Sequence, residues 1–570
     1  DNSKSYVFNG NGFLAGHTAL VKRGSGVLAI SNDNTYTGGT RISGGTVSVN
    51  MLSNSTRAYG GLGGVVESAD LFVMENGATL QTTETVTQGS PMKMEGKDGG
   101  CVENLKDFIV ETPVEGTLLT KKGDGWMKLN TVCPSLERLA INGGTVQCVA
   151  CDRPAQTVEF ISGTLYENTG SSYAIHVPEG GSGTWSLANR STYNNKITGE
   201  GTLTIYCAVE HGNGWFATRT PVAVNLSLFT GTINATADMA DSYPRFTLNT
   251  SSGMPDGTLN ITAGVTVQNT GRTFRIGKLA GKGTLGGYAS FANDGATGVN
   301  TWQVGCDDDF AWAGTVTANS KFEKVGSGKM TVSGVWDNTG EVAVKEGTLC
   351  LNDRSAENAM LGSGELSVED GAVLCGMGKL GNASVTVERG GRLYSGTREG
   401  ASSGALDFSG KRLTVSAGGE VMFNVASKVR CTTLEGISSF SLRGTLKVSV
   451  REGLELEAGD EFQLWTANRT VLSSACTLDL DSPGEGLEWD TSALEDGVLK
   501  VKTATGITGV VSGEPVDCVV YTLDGARAGY FTCMPSEVRE YMEENGFKSG
   551  MYMVKMTQGQ RTVSRKVTVD

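Results

Sequence analysis

Apolar and polar residues alternate along most of this chain in short runs, each introduced by glycine. Gly45-Thr-Val-Ser-Val49, Gly163-Thr-Leu-Tyr166, Gly201-Thr-Leu-Thr-Ile-Tyr206, Gly231-Thr-Ile-Asn234, Gly257-Thr-Leu-Asn-Ile261, Gly314-Thr-Val-Thr317 and Gly347-Thr-Leu-Cys-Leu351 are examples. A period of two over four to six residues predicts strands with one buried face. The glycine before each strand supplies the positive φ that a sharp corner needs. Helical periodicity is nearly absent. The stretch 352–361 predicts one short helical turn. Residues 535–545 predict a helix, with Pro535 near its first turn, acids following and Gly546 closing it.

Three longer stretches share one frame. Leu20–Asn50 reads LVKRGSGVLAISNDNTYTGGTRISGGTVSVN, and weaker copies run over Leu118–Val149 and Phe322–Asn352. Each has an apolar residue, then Lys-x-Gly-x-Gly, a strand, a turn, and Gly-Thr opening a second strand. A repeat of this length is a structural unit that stacks on its neighbours. The uneven spacing of the Gly-Thr strands predicts a parallel β-helix with loops of unequal length. An antiparallel sandwich would instead show two-residue Asn-Gly or Asp-Gly hairpins, and the stretch has few.

The texture changes from about Leu406, where strands lengthen, glycines thin and acidic residues rise. The expected organisation is therefore a solenoid over residues 1–405, terminal coils and a cap over 406–502, a linker over 503–513, and a separate small unit over 514–570. Strands Val516–Leu523, Gly550–Met556 and Thr562–Val569 and a turn at Asp524-Gly525 are predicted in that last unit.

Composition agrees with an all-β class. Of 570 residues, 80 are glycine and only 11 proline, which excludes collagen and proline-rich linkers. The net charge of −14, with no basic stripe, argues against a nucleic-acid partner. No apolar run reaches the roughly 18 residues of a transmembrane helix. The chain opens on strand-like text at Tyr6-Val7-Phe8 with no signal peptide, which suggests a processed or truncated start.

At Leu20–Asn50 the text resembles the autotransporter-associated β-strand repeat of bacterial passenger regions. Leu361-Gly-Ser-Gly-Glu-Leu-Ser-Val368, Gly378–Val387 and Gly390-Gly-Arg-Leu-Tyr-Ser-Gly396 resemble the closing pattern of that family, and GDEFQLWTA through LEWDTSAL resembles the segment that ends such passengers. The resemblance implies a right-handed parallel β-helix displayed outside the cell. At the C-terminus, VVYTLDGARAGY, GMYMVKM and RTVSRKVTVD resemble the sorting domain of type IX secretion cargo in Bacteroidetes, a small β-sandwich recognised by the export machinery of the outer membrane. The insert SEVREYMEEN departs from that pattern.

Candidate chemistry is sparse. The three histidines, His17, His176 and His211, lie in no catalytic motif. Cys148-Val149-Ala150-Cys151 is a lone CxxC without the second pair a zinc site needs, most cysteines read as buried small hydrophobes, and Cys518 and Cys533 are a pair that an oxidising compartment could bridge, which their spacing alone does not show. No metal or cofactor is expected. Asp307, Asp308 and Asp309, flanked by Trp302 and Trp312, form the densest acidic cluster and the first candidate for a ligand face. Asp238 and Asp241, near Arg245, form a second acidic cluster. Trp126, Trp185, Trp215 and Trp336 are further candidates for stacking on sugars. The reading is a non-enzymatic surface stalk or adhesin that meets host or environmental glycans or proteins. The alternative is a polysaccharide-binding or polysaccharide-degrading β-helix, a lyase or glycosidase, which needs facing carboxylates and a basic residue on one exposed sheet.

Overall fold

The computed structural model describes residues 3–167, 170–187, 193–207, 221–237, 245–248, 250–269, 271–286, 299–317, 319–352, 361–503, 514–559 and 561–569. The short turn expected over 352–361 and the linker expected over 503–513 fall almost wholly outside them. Up to Leu480 nearly every strand pairs in parallel with one from the next coil, which makes a parallel β-helix. Strands Phe72–Glu75, Ala78–Thr82 and Val86–Gln88 form one coil. Met92–Glu95, Gly100–Asn104 and Phe108–Val110 lie on it in register, with Met94 on Met74, Val102 on Leu80 and Phe108 on Val86. All six side chains are buried. Each such residue contributes about 1.5–3 kcal/mol by leaving water, and the alternation that points them inward points their neighbours out.

The shared lysine frame has a physical basis. Lys22, Lys121 and Lys324 occupy inward positions of their strands: Lys22 pairs with Ile42, Lys121 lies between Val102 and Ile141, and Lys324 lies between Val304 and Val344. Each is buried, and each ammonium donates to three backbone carbonyls. Lys22 Nζ reaches the oxygens of Arg23, Gly24 and Gly44 at 3.0, 2.8 and 2.9 Å. Lys121 Nζ reaches those of Lys122, Gly123 and Gly143 at 2.9, 2.7 and 3.2 Å. Lys324 Nζ reaches those of Val325, Gly326 and Glu346 at 2.9, 2.7 and 3.1 Å. Two carbonyls come from the lysine's own corner and the third from the coil above. Three donors meet three acceptors, which offsets the cost of burying the charge.

The glycines complete the corner. Gly24, Gly123 and Gly326 turn it at φ of 77°, 78° and 75°, and Gly45, Gly144 and Gly347 lie over it at φ of 64°, 60° and 65°. A Cβ on Gly45 or Gly347 would stand 2.5 Å from the Gly24 or Gly326 oxygen, so only glycine lets the next coil close.

The parallel stack runs to Thr470–Leu472 and Thr477–Leu480. Strands Glu461–Gln463, Leu487–Asp490 and Val498–Thr503 then form an antiparallel sheet whose Phe462, Leu499 and Val501 join the solenoid core. Residues 514–559 and 561–569 have a core of their own. Their four strands are antiparallel, in the spatial order Arg527–Cys533, Val516–Thr522, Gly550–Gln558, Arg561–Val569. Helix Val538–Glu544 packs Val538 and Met542 into that core. The helix thus supplies the second layer of the small unit expected as a sandwich. No helix among the described residues is long and apolar enough to cross a membrane.

Two outcomes check the corner. Lys121→Met orphans three carbonyls and should cost about 1–3 kcal/mol in denaturant unfolding. Burial pushes Lys121 and Lys324 down to about 8 from 10.5. Between those values the unfolded chain holds protons that the folded chain has released, so wild-type stability should rise from pH 8 to 10.5 relative to Lys121→Met. Separately, Gly347→Ala should destabilise more than Gly410→Ala. Both have positive φ, but a Cβ on Gly410 meets nothing within 4 Å.

Candidate ligand-binding surface

The stretch expected to form a ligand face divides in two. Trp302, in strand Asn300–Val304, pairs with Phe274 below and Phe322 above, and its ring packs edge-on against Phe274 at 6.1 Å. Trp312 packs against Trp336 at 5.9 Å, and Trp336 against Phe322 at 4.6 Å. Trp302 and Trp312 are 0% and 1% exposed, so the expectation that they face a ligand is corrected. Thr301 and Gln303 hold the outward positions of that strand, and alternation turns the ring inward. Trp185 is buried in the same way.

The three aspartates are at the surface but do not converge. Asp307 Oδ1 accepts from Ser327 Oγ at 2.8 Å, which holds its carboxyl below the usual range. Asp308 pairs with Lys278 at 2.6 Å. Asp309 Oδ1 accepts from the Lys329 amide at 2.8 Å. Each acid ties the turn after Val304 to a different neighbour. Among the described residues no group of three or more His, Cys, Asp or Glu side chains is placed to hold a metal. Asp238, Asp241, His211 and Trp215 lie outside the described residues. The ring nitrogens of His17 and His176 lie within hydrogen-bond distance of threonine hydroxyls, of Thr37 at 3.3 Å and Thr198 at 3.1 Å.

Carboxylates and cations do share one exposed face farther toward the N-terminus. Arg41 Nη1 bridges Glu75 at 3.0 Å and Glu95 at 2.9 Å, and Lys93 meets Asp70 at 2.6 Å. Acids and bases thus meet here as a polysaccharide-cleaving site would need, but the electrostatics run the other way. Arg41 holds Glu95, and Lys93 holds Asp70, below the usual carboxylate range, whereas a general acid must be raised. Glu167 is raised, to about 8, by burial. It is 1% exposed, and the Tyr173 hydroxyl donates to it inside the core. The Arg41 cluster is a partly exposed ion-pair ladder of modest worth.

A different surface comes from the register of the coils. Thr145, Thr164, Thr184, Thr204, Asn234 and Asn260 fall in one column across successive strands. Asn260 Nδ2 donates to Asn234 Oδ1 at 2.8 Å, and Asn234 Nδ2 to Thr204 Oγ1 at 3.4 Å. Ser182, Thr202, Thr232 and Thr258 make a second column beside it. Trp126 starts the first column as the partner of Thr145. It is 39% exposed, with its ring 6.0 Å from that of Tyr166. The two columns hold hydroxyls and amides, repeat about every 4.8 Å, and carry no charge. They suit hydrogen bonding to an uncharged, extended ligand, with Trp126 and Tyr166 as a stacking platform. The signal was present as the polar residues within the Gly-Thr strands, but their alignment depends on coil register.

Residues 20–49 match the passenger-associated-transport-repeat family, over the coil that carries Lys22, Gly24, Gly26 and Gly45. The chain carries a passenger-type repeat. It is also 26% identical, over 392 residues and 65% of its length, to the adhesin BmaC autotransporter of Brucella suis biovar 1 (strain 1330). The match spans 10% of that relative's length. With its passenger-type repeat, the protein is secreted or lies at the cell surface.

Trp302→Ala should cost about 3–5 kcal/mol in denaturant unfolding, the range for truncating a buried aromatic. A change within 0.5 kcal/mol would contradict its core placement.

Proposed function

We propose that this chain is an exported bacterial surface stalk with an adhesive face, and that residues 514–570 direct its secretion through the outer-membrane machinery. The observation that carries the reading is the parallel ladder of stacked coils. It links Tyr6–Phe8, at one end, to Thr470–Leu472 through register pairs in the same sheet. Such a stack shares one backbone hydrogen-bond network and one apolar interior, and so resists bending. The likeness to an autotransporter adhesin favours the same role. The antiparallel sheet over 461–503 acts as the cap, covering the apolar surface and backbone groups that a last coil would expose. Recognition falls to the uncharged Thr and Asn face with Trp126 and Tyr166, and its ligand is a neutral glycan of host or environment.

Two experiments test this reading. Deleting residues 514–570 should leave a folded solenoid that stays inside the cell, and normal secretion of the deletion would refute the export role. On a glycan panel the intact protein should retain neutral polysaccharides, and Trp126→Ala should weaken that retention about tenfold or more, the order of 1–2 kcal/mol for a lost stacking contact, with unfolding unchanged. Release of cleaved products would replace the adhesin with a polysaccharide-degrading enzyme.

A further inference from the structure

Cys350 and Cys375 are register partners on neighbouring coils, in strands Thr348–Asn352 and Val373–Lys379. Leu349, Leu351 and Leu374 beside them point into the solenoid core, so the two thiols lie together on the outer side of the sheet. There they form a small cluster of their own with Val373 and Tyr394. Both are 0% exposed. The segment after Ser395 closes over them: Gly396 donates to the Gly376 oxygen at 2.7 Å, and the Thr397 oxygen receives Cys350 Sγ at 3.8 Å and Lys329 Nζ at 2.5 Å.

We propose that Cys350 and Cys375 form a disulfide that ties two neighbouring coils covalently. In-register parallel neighbours lie about 4.8 Å apart, inside the roughly 4.4–6.8 Å between Cα atoms that a disulfide spans. The inference rests on export, because oxidising compartments are where such bonds form and persist. The oxidant is an external disulfide, of a thiol–disulfide oxidoreductase or of oxidised glutathione. The Cys350 thiolate attacks one of its sulfurs and expels the first thiolate. The Cys375 thiolate then attacks the Cys350 sulfur of the mixed disulfide and expels the second. Two thiols are oxidised, one external disulfide is reduced to two thiols, and those leaving sulfurs take up the two protons. The balance is the same if Cys375 attacks first. The exchange precedes closure of the segment after Ser395, which buries both sulfurs.

The test uses the full chain recovered from the culture medium or cell surface without reductant, with free thiols alkylated under denaturing conditions. Trypsin cuts after Lys345, Arg354 and Lys379, which places the two cysteines on separate peptides. The expected product is peptide 346–354 joined to peptide 355–379, two hydrogens lighter than their sum. Both cysteines alkylated, or either joined to another cysteine, would overturn the proposal. If the chain is not exported, intracellular protein refolded with oxidised glutathione should form the same link, and its absence there would overturn the pairing independently of the export reading. Reductant should lower the Tm of the oxidised wild type by several degrees and leave Cys350→Ser/Cys375→Ser unmoved. Equal shifts in the two would also count against it.

Discussion

A solenoid coil must turn sharply, and each turn aims backbone carbonyls at a buried, largely apolar interior. An unmet carbonyl there costs as much as a lost hydrogen bond. At three corners this chain meets the demand with a lysine taken from the core side of a strand. Lys22, Lys121 and Lys324 give up an apolar position, and each ammonium gathers the carbonyls of its own turn and one from the coil above. The rest of the corner follows from that choice. The turn must be glycine to reach positive φ, and the residue above must be glycine because any Cβ would strike the carbonyls below. The recurring frame is therefore the chemical signature of one corner seen three times.

Parts of this were legible in the residues alone. The Gly-Thr strands and their parallel stacking follow from period-two alternation and glycine punctuation, and the helix after Pro535 from its proline start, early acids and glycine stop, because those rules act within a few residues. The burial of the lysines did not follow, since alternation predicts an apolar residue there and lysine is usually exposed. Trp302 and Trp312 misled for a related reason. Acidic residues between them suggested a surface site, but on a strand adjacent residues face opposite ways, so a polar neighbour says little about where a ring points. The Thr and Asn columns were hidden differently. Their members lie in strands separated by loops of unequal length, and only coil register brings Thr204, Asn234 and Asn260 into line.

The division of labour in the molecule is consistent with these constraints. Inward positions build the stack and leave little freedom for chemistry. Carboxylates that gather on an outer face, such as Glu75 and Glu95, are neutralised by Arg41 and hold coils together. The outer face of Thr and Asn is the exception. It is spatially regular and uncharged, and it bears an exposed Trp126, on a chain whose net charge is −14. Binding placed there would leave the coil-building residues untouched, which lets a surface protein vary its contacts without rebuilding its stalk.

Hydrogen exchange, mapped along the chain in Lys121→Met and in Lys324→Met, tests the corner most directly. In a stack where each coil leans on its neighbours, Lys121→Met should lose amide protection over about 114–148, and Lys324→Met over about 320–352, each leaving the other region and residues 405–450 unchanged. Unaltered protection at both corners would contradict the account, because the three carbonyls would then be satisfied without the lysine.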